Sequence, residues 1–336
     1  MRSKNCRSSC RRLPLLLLLL LPALRVTVSY ECIAQSVEPS ETIRVDSDLV
    51  DLKVGVVSLN SQTRVSSLEL KDFLVLEDGQ PQQISFFAAA DAPFDLVLLL
   101  DLSGSIADKL KLVRRSAKSF VDATRPLDRV AIVTFTDVPH LVSGFTWDRK
   151  ELKNSIDKIE KPVGGTNFWD SLDYVLETVL SPGSNSRRSA VVVMTDGVDN
   201  ALPEVFGEGS RITFDELLDV VRRSESIVFP IYLDTEREEV KRHRTPSSAY
   251  PIARDQLTRL AETCGTTLYK ASQLRDLDSV YDQVIKDLST VYSLGYRPTN
   301  TSRDGKWRNV TVQLVDHQDV IAHTKRGYFS KSYRRQ

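Results

Sequence analysis

The sequence has few cysteines and histidines and no excess of basic charge. It contains four cysteines and four histidines among 336 residues, and its 45 basic residues balance 45 acidic ones. So few cysteines and histidines leave little material for a zinc cluster or a disulfide scaffold. The zero formal charge argues against a nucleic-acid partner. The remaining composition, 41% hydrophobic and 27% charged, is that of a globular protein with a sizeable core.

Residues 1–34 predict a secretory signal peptide. Five basic residues precede an uncharged, apolar stretch at positions 13–24, which is the arrangement of such a signal. A cleavage site with a small residue at its end, at 32–34, predicts a mature chain that starts at Gln35. We therefore expect a secreted, periplasmic or cell-envelope protein. An uncleaved N-terminal anchor is the alternative, and only then do we expect membrane attachment.

Removal of the signal peptide would change the charge and the cysteine content. Residues 35–336 contain 39 basic and 44 acidic residues, a net charge of −5, and a single cysteine, Cys264. Leu257, Leu260, Ala261 and Cys264 recur at the spacing of one helix face, with Gly265 in position to cap the helix. The pattern predicts that Cys264 is a buried small hydrophobic residue rather than a reactive thiol.

The mature chain divides into three parts by pattern. Residues 35–93 form an N-terminal β region, residues 94–290 alternate strands with helices, and residues 291–336 return to β character. Apolar runs without alternation, such as 96–100 and 190–194, are typical of strands buried on both faces. The middle part is therefore predicted to be a doubly wound α/β domain with a mostly parallel sheet.

The two flanks and one linker carry further expectations. Residues 73–76 and 83–86 are predicted to pair as a hairpin around a turn at 77–79. We expect the N- and C-terminal strands to pack together as one small β module; two unrelated flanks are the alternative. The mixed charges of residues 236–248 predict a solvated loop.

Oxygen-bearing side chains follow two of the predicted strands and a glycine-rich loop between them. Asp101, Ser103 and Ser105 follow the first buried strand, Thr166 follows two glycines, and Asp196 follows the strand at 190–194. Ligand sites of open parallel sheets form beyond the carboxyl ends of the strands. Carboxylates and hydroxyls are hard donors that suit Mg²⁺ or Mn²⁺, with at least one position left open.

These motifs resemble the metal-ion-dependent adhesion site of the von Willebrand factor A domain. The resemblance covers residues 94 to about 290, and all of its elements occur in the family's order. It implies that Ser103, Ser105 and Thr166 supply hydroxyls to the metal. It further implies that Asp101 and Asp196 are inner-shell or water-bridged carboxylates, and that an acidic side chain of a protein partner takes the open position.

The same residues also have simpler interpretations. Asp101, Ser103, Ser105 and Thr166 are compatible with helix capping, which favours Asp, Ser and Thr, and Asp196 with a plain turn before a glycine. Asp199 and Asn200 lie three and four residues beyond Asp196. They are interpreted as loop-surface residues rather than ligands.

The flanks bear a weaker resemblance to a second group of proteins. The C-terminal motifs lie at residues 292–296 (Tyr-x-Leu-Gly-Tyr), 304–308 (Asp-Gly-Lys-Trp-Arg) and 326–329 (Arg-Gly-Tyr-Phe). Together with the signal peptide, they resemble acidobacterial von Willebrand factor A-related secreted proteins. That resemblance implies an architecture and little about function.

The motifs favour binding over catalysis. The four histidines have no metal-ligand spacing, and neither a Gly-x-Ser-x-Gly elbow nor a phosphate loop is present. A hydroxyl-rich ligand set has low formal charge, so its metal ion remains electrophilic and attracts an anionic ligand from a partner. We therefore expect a non-enzymatic, metal-dependent adhesion or protein-binding module. A Mg²⁺-dependent hydrolase or phosphoesterase of the cell envelope is the alternative.

Overall fold

The computed structural model describes residues 49–58, 68–104, 109–160, 164–180, 187–242, 244–317 and 319–332. The predicted signal peptide and Ser105 lie outside these residues. The described part of the chain contains fourteen strands. They are β1 (Val50–Ser58), β2 (Phe73–Glu77), β3 (Gln80–Gln82), β4 (Ile84–Ala88), β5 (Phe94–Asp101), β6 (Arg129–Phe135), β7 (Pro139–Thr146), β8 (Arg188–Thr195), β9 (Ile227–Leu233), β10 (Tyr269–Ala271), β11 (Val291–Tyr296), β12 (Trp307–Leu314), β13 (Val320–His323) and β14 (Gly327–Phe329).

Seven α-helices accompany the strands in the described residues. They are α1 (Leu110–Ala123), α2 (Arg149–Asp157), α3 (Phe168–Tyr174), α4 (Phe214–Arg223), α5 (Glu236–Lys241), α6 (Ala249–Cys264) and α7 (Leu277–Leu288). None of these described helices is both long and apolar enough to cross a bilayer. Gly265 ends α6 in the left-handed conformation at φ 70°, as predicted. Burial raises the pKa of the Cys264 thiol to about 12.

The middle of the chain forms a six-stranded sheet in the order β10-β9-β8-β5-β6-β7. All neighbouring strands are parallel except β6 and β7, which pair antiparallel at one edge. Residues of β5, β8 and β9 are buried along their whole length, apart from a half-buried Ser189 in β8. Helices α1, α2 and α7 cover one face, and α3, α4 and α6 cover the other. The structure confirms the predicted doubly wound, mostly parallel fold.

The flanks form two four-stranded sheets from strands of both chain ends. Their orders are β13-β1-β11-β4 and β14-β12-β2-β3. Buried residues of the two sheets, including Leu52, Val75 and Tyr292, form one hydrophobic cluster. The N- and C-terminal strands therefore share one core, as expected. Arg188 connects this β module to the α/β sheet, since its guanidinium donates to the carbonyl of Val291 at the start of β11.

The predicted hairpin partner of β2 was wrong. β2 pairs with β3, in which Val75 lies opposite Gln82, whereas β4 pairs with β11 in the other sheet. The turn is only two residues long, with Asp78 at φ 48° and Gly79 at φ 80°. Such a primed turn matches the twist of the strands and starts the return strand at once. The more apolar segment that follows is then free to cross to the second sheet.

The prediction of a solvated loop at 236–248 was also wrong in part. This segment contains helix α5, and Glu239 on that helix is only 2% exposed. Arg242 and Arg244 both approach the Glu239 carboxylate, at 3.3 and 3.8 Å. The ion pairs allow a charged segment to pack against the domain, because the buried carboxylate keeps cationic partners.

Candidate functional site

The candidate site lies where the strand order reverses. β5 is in the centre of the sheet, with β6 on one side and β8 on the other. The chain thus leaves β5 in one direction and later returns to pair on the opposite side. At such a reversal the loops after adjacent strands separate, and a crevice opens beyond the carboxyl ends. The loops that follow Asp101 in β5 and Thr195 in β8 meet there.

Asp101 is fully buried and its carboxylate is held by two donors. The Ser103 amide donates to Oδ1 at 2.8 Å, and the Thr195 hydroxyl donates to Oδ2 at 2.6 Å. The first bond closes a tight turn of the backbone between Asp101 and Ser103, directly after β5. The second bond connects the ends of β5 and β8 through side chains.

Asp196 is positioned by a similar pair of hydrogen bonds. The Thr235 hydroxyl donates to Oδ2 at 2.6 Å, and the Val198 amide donates to Oδ1 at 3.2 Å. The turn after Asp196 uses Gly197 at φ 75°, where an added Cβ would lie 2.8 Å from the Leu257 side chain. A glycine is therefore required both by conformation and by space.

The glycine-rich loop brings Thr166 to the same place. A Cβ on Gly165 would lie 2.0 Å from the side-chain amide nitrogen of Asn200, and one on Gly164 would lie 2.5 Å from the carboxylate of Asp137. The Thr166 carbonyl accepts a hydrogen bond from the backbone amide of Asn200 at 2.8 Å. The Thr166 hydroxyl makes no hydrogen bond to any described residue. Thr166 does not cap α3, because the N-cap residue is Asn167.

Side chains from all three loops line one small cavity of about 140 Å³. Ser103, Thr166 and Asp196 line it, and the fully buried Asp101 is hydrogen-bonded to the Ser103 amide. Four of the five predicted metal-site residues are thus brought together at one end of the sheet. Ser105 is outside the described residues. The remaining polar lining includes Asn200, Glu239 and Arg244.

The electrostatics of the carboxylate pair favour a cation. Burial, and next the charge of Asp196, raise the pKa of Asp101 to about 7. Two buried carboxylates that repel each other resist joint ionisation unless a positive charge lies near them. Among the described residues no three His, Cys, Asp or Glu side chains form a metal cluster. Such a cluster is not needed where hydroxyls supply most of the ligands. The donor set therefore fits a hard divalent ion.

The structure adds residues that the motifs did not indicate. Thr195 and Thr235 are buried and orient the two carboxylates. Glu239 reaches the cavity from α5 with a raised pKa, caused first by burial and in smaller part by Asp196. Of these, only Thr195 could have been found from the sequence, since it precedes Asp196 directly. Thr235 and Glu239 lie about 40 residues further along the chain, and only the fold brings them near.

The interpretation of Asp199 as a loop-surface residue was wrong. Asp199 is fully buried. Its carboxylate accepts hydrogen bonds from the backbone amides of Trp169 and Ala201, at 3.1 and 2.8 Å, and from the hydroxyl of Ser210 at 2.6 Å. The Trp169 bond satisfies an amide in the first turn of α3, so Asp199 caps that helix from another loop. Asn200 lines the cavity.

The fold and the site define a class of domain. Residues 95–242 match the family model of the von Willebrand factor type A domain. This part of the chain therefore has the von Willebrand factor A fold.

Two curated relatives match beyond this domain. A UPF0353 protein of Nocardia farcinica is 24% identical over 259 residues, which cover 72% of this chain and 75% of that protein. The calcium-activated chloride channel regulator 3A-1 of Mus musculus is 24% identical over 229 residues, which cover 65% of this chain. The matched part spans about a fifth (22%) of the mouse protein. The resemblance to acidobacterial proteins stays a prediction.

Similar solved structures include a mussel byssus protein and the domain of a pilus tip protein. Proximal thread matrix protein 1 from the mussel byssus has a TM-score of 0.45 at 16% identity, covering 59% of this chain and 49% of that one. The von Willebrand factor domain of the pilus tip protein Mfa5 from Porphyromonas gingivalis has a TM-score of 0.44 at 15% identity, with 58% and 94% covered. Another structure of the mussel protein, at a TM-score of 0.44 and 18% identity with 63% and 49% covered, has a zinc-occupied metal-ion-dependent adhesion motif.

Proposed function

We propose that the chain is a non-enzymatic protein-binding module whose binding depends on a divalent metal ion. Asp101, Ser103, Ser105, Thr166 and Asp196 would hold Mg²⁺ or Mn²⁺. The observation that carries the proposal is the convergence of three separate loops at one cavity, with a carboxylate pair whose mutual repulsion a cation would relieve.

The bound metal would supply a Lewis-acidic position for a carboxylate of the partner. The residues of this chain have two tasks there. Thr195 and Thr235 orient the two carboxylates by donating a hydrogen bond to each. The Thr166 hydroxyl, which has no partner among the described residues, is available as a neutral ligand. A neutral donor leaves more of the ion's charge for the partner.

The rim of the cavity offers a second and a third contact to a partner. Phe206 lines the cavity with its side chain 86% exposed, and exposed aromatic rings are common anchors of protein interfaces. Arg244 also lines the cavity and donates to the Gly104 carbonyl at 3.3 Å. We propose that the partner presents an acidic residue next to an apolar one, so that the carboxylate reaches the metal and the apolar side chain meets Phe206.

We further propose that the protein acts outside the cytoplasm, in the secreted fraction or the cell envelope. This rests on the signal-peptide pattern of residues 1–34. We propose attachment to the membrane only if that segment is retained as an anchor, and we propose no nucleic-acid partner.

The test is metal-dependent capture of the partner. Purified protein is immobilised, exposed to envelope and secreted fractions of the source cells, and washed with either Mg²⁺ or a chelator. We expect one set of proteins to be retained by the wild type with Mg²⁺ and released by chelator. Thr166→Ala and Phe206→Ala should both fail to retain these proteins, whereas Phe206→Ala should keep the metal affinity of the wild type.

Two results would contradict the proposal. Retention that is the same with and without chelator would remove the metal from the interaction. Mg²⁺-dependent hydrolysis of phosphate or carboxylate esters, lost in Asp101→Ala, would favour the alternative phosphoesterase or hydrolase. A matched control is Val138→Ala, because Val138 is also exposed, at 68%, but does not line the cavity.

A further inference from the structure

A second and much larger cavity lies between helix α4 of the α/β domain and the β module. Its volume is about 710 Å³, within the range of small-molecule sites. It is lined by the start of β1, the end of α4, the chain after β11, and the region around β14. It shares no lining residue with the candidate metal cavity.

The lining of this cavity has a surplus of positive charge. Three acidic residues line it, Asp51, Asp219 and Glu225, against six basic ones. The basic residues are Arg222, Arg223, Arg297, Arg303, Lys325 and Lys331.

Part of this charge is already neutralised within the protein. Asp219 pairs with Arg222 at 2.6 Å, and Asp51 pairs with Lys53. Arg223, Arg297 and Lys325 form no ion pair with any acidic residue in the described part of the chain. The balance of the uncommitted groups is therefore positive.

Lys325 is a half-buried basic residue of this lining. Burial lowers the pKa of its ammonium group, while Asp51 and Glu225 oppose that effect and Lys53 adds to it. Binding of an anion to this lysine adds little desolvation cost, because part of its hydration has already been lost on folding. Arg297, by contrast, is exposed and also lines the cavity.

The same cavity has an apolar wall. Leu49 and Phe329 line it and are 38% and 53% exposed. The ring of Phe329 is fixed by an edge-on contact with Trp307, with centroids 5.0 Å apart. Tyr328 directs its hydroxyl away to Glu77, at 2.9 Å. A ligand in this cavity thus meets both cationic and apolar side chains.

We propose that this cavity is a binding site for a small organic anion with an apolar or ring-shaped body. The acidic group would pair with Arg297 and Lys325, and the body would lie against Leu49 and Phe329. The site is independent of the metal cavity and of the function proposed above.

Two fluorescent probes test the proposal on the purified protein. 8-Anilinonaphthalene-1-sulfonate carries an anionic group on an apolar ring system, and N-phenyl-1-naphthylamine has the same rings without the charge. We expect the anionic probe to bind at least tenfold more tightly than the neutral one. Arg297→Gln and Lys325→Gln should each weaken the anionic probe about tenfold and leave the neutral probe unchanged. Chelator should have no effect on either probe.

Arg275→Gln is the matched control, because this arginine is 75% exposed and does not line the cavity. Arg297 is exposed, so its variant tests the site even if Lys325→Gln fails to fold. Equal affinity for the anionic probe in Arg297→Gln and Arg275→Gln would overturn the proposal. Equal affinity of the two probes for the wild type would overturn it as well.

Discussion

Replacement of Asp101 by asparagine tests the electrostatics of the carboxylate pair. The pKa of Asp101 is raised from 3.8 to about 7 by burial and by Asp196. In the metal-free protein, therefore, ionisation of Asp101 opposes folding. This contribution is absent below pH 3.8, where the carboxyl is protonated in both states, and it is complete above about pH 7. Stability of the metal-free wild type is expected to fall as the pH rises through this window.

The magnitude follows from the size of the shift. About three pH units correspond to roughly 4 kcal/mol at ~1.4 kcal/mol per unit. This figure already includes the hydrogen bonds from Thr195 and Ser103, which lower the pKa and so oppose the rise. Asp101→Asn removes the whole cost, so the metal-free variant is expected to be more stable than the wild type at pH 8, by up to about 4 kcal/mol. Mg²⁺ should narrow the difference, because saturation at 100 times the dissociation constant stabilises a binding protein by ~2.7 kcal/mol.

The assay is thermal or urea unfolding of both proteins at pH 8, with chelator and with Mg²⁺. The variant should unfold later than the wild type in chelator and should not respond to Mg²⁺. A variant that is less stable in chelator and is stabilised by Mg²⁺ as much as the wild type would refute the reasoning. Repeating the chelator series at pH 4 supplies the control, since the two proteins should then differ little.

Three further predictions concern other parts of the chain. Mg²⁺ affinity, measured by calorimetry, should fall about tenfold per pH unit below pH 7 as Asp101 takes up its proton; a flat profile would contradict this. Arg188→Met should lower the urea-derived free energy of unfolding by roughly 2–3 kcal/mol. Arg188 donates to the carbonyls of Val291, Ala90 and Ala92. Arg125 also donates to those of Ala90 and Ala92, so the loss falls mainly on the bond to Val291. An unchanged free energy of unfolding would contradict this prediction. N-terminal sequencing of the native protein should find Gln35, and a retained Met1 would contradict cleavage.

Local patterns were enough to predict the central sheet. The strands β5, β8 and β9 are continuous apolar runs because both of their faces are covered, and such runs are recognisable in sequence. The helix that ends at Gly265 could also be predicted, since its apolar stripe and its left-handed cap are local features. The convergence of Ser103, Thr166 and Asp196 was predictable because the carboxyl ends of parallel strands share one edge.

Long-range pairing accounts for what the sequence did not reveal. The choice of Gln80–Gln82 over Ile84–Ala88 as the partner of β2 depends on a two-residue turn and on the competing strand β11. Helix α5 looked like a loop because its stability comes from ion pairs with Glu239 rather than from an apolar stripe. Asp199 looked like a surface residue because its donors belong to α3 and to the segment around Ser210.

The central claim, a divalent metal held by the three loops, is tested most directly by calorimetric titration of the purified protein with Mg²⁺. The comparison is between the wild type and Asp101→Ala, with circular dichroism to establish that both are folded. The account predicts saturable binding of one ion by the wild type and binding that is lost or greatly weakened in the variant. Equal binding by both proteins would contradict it.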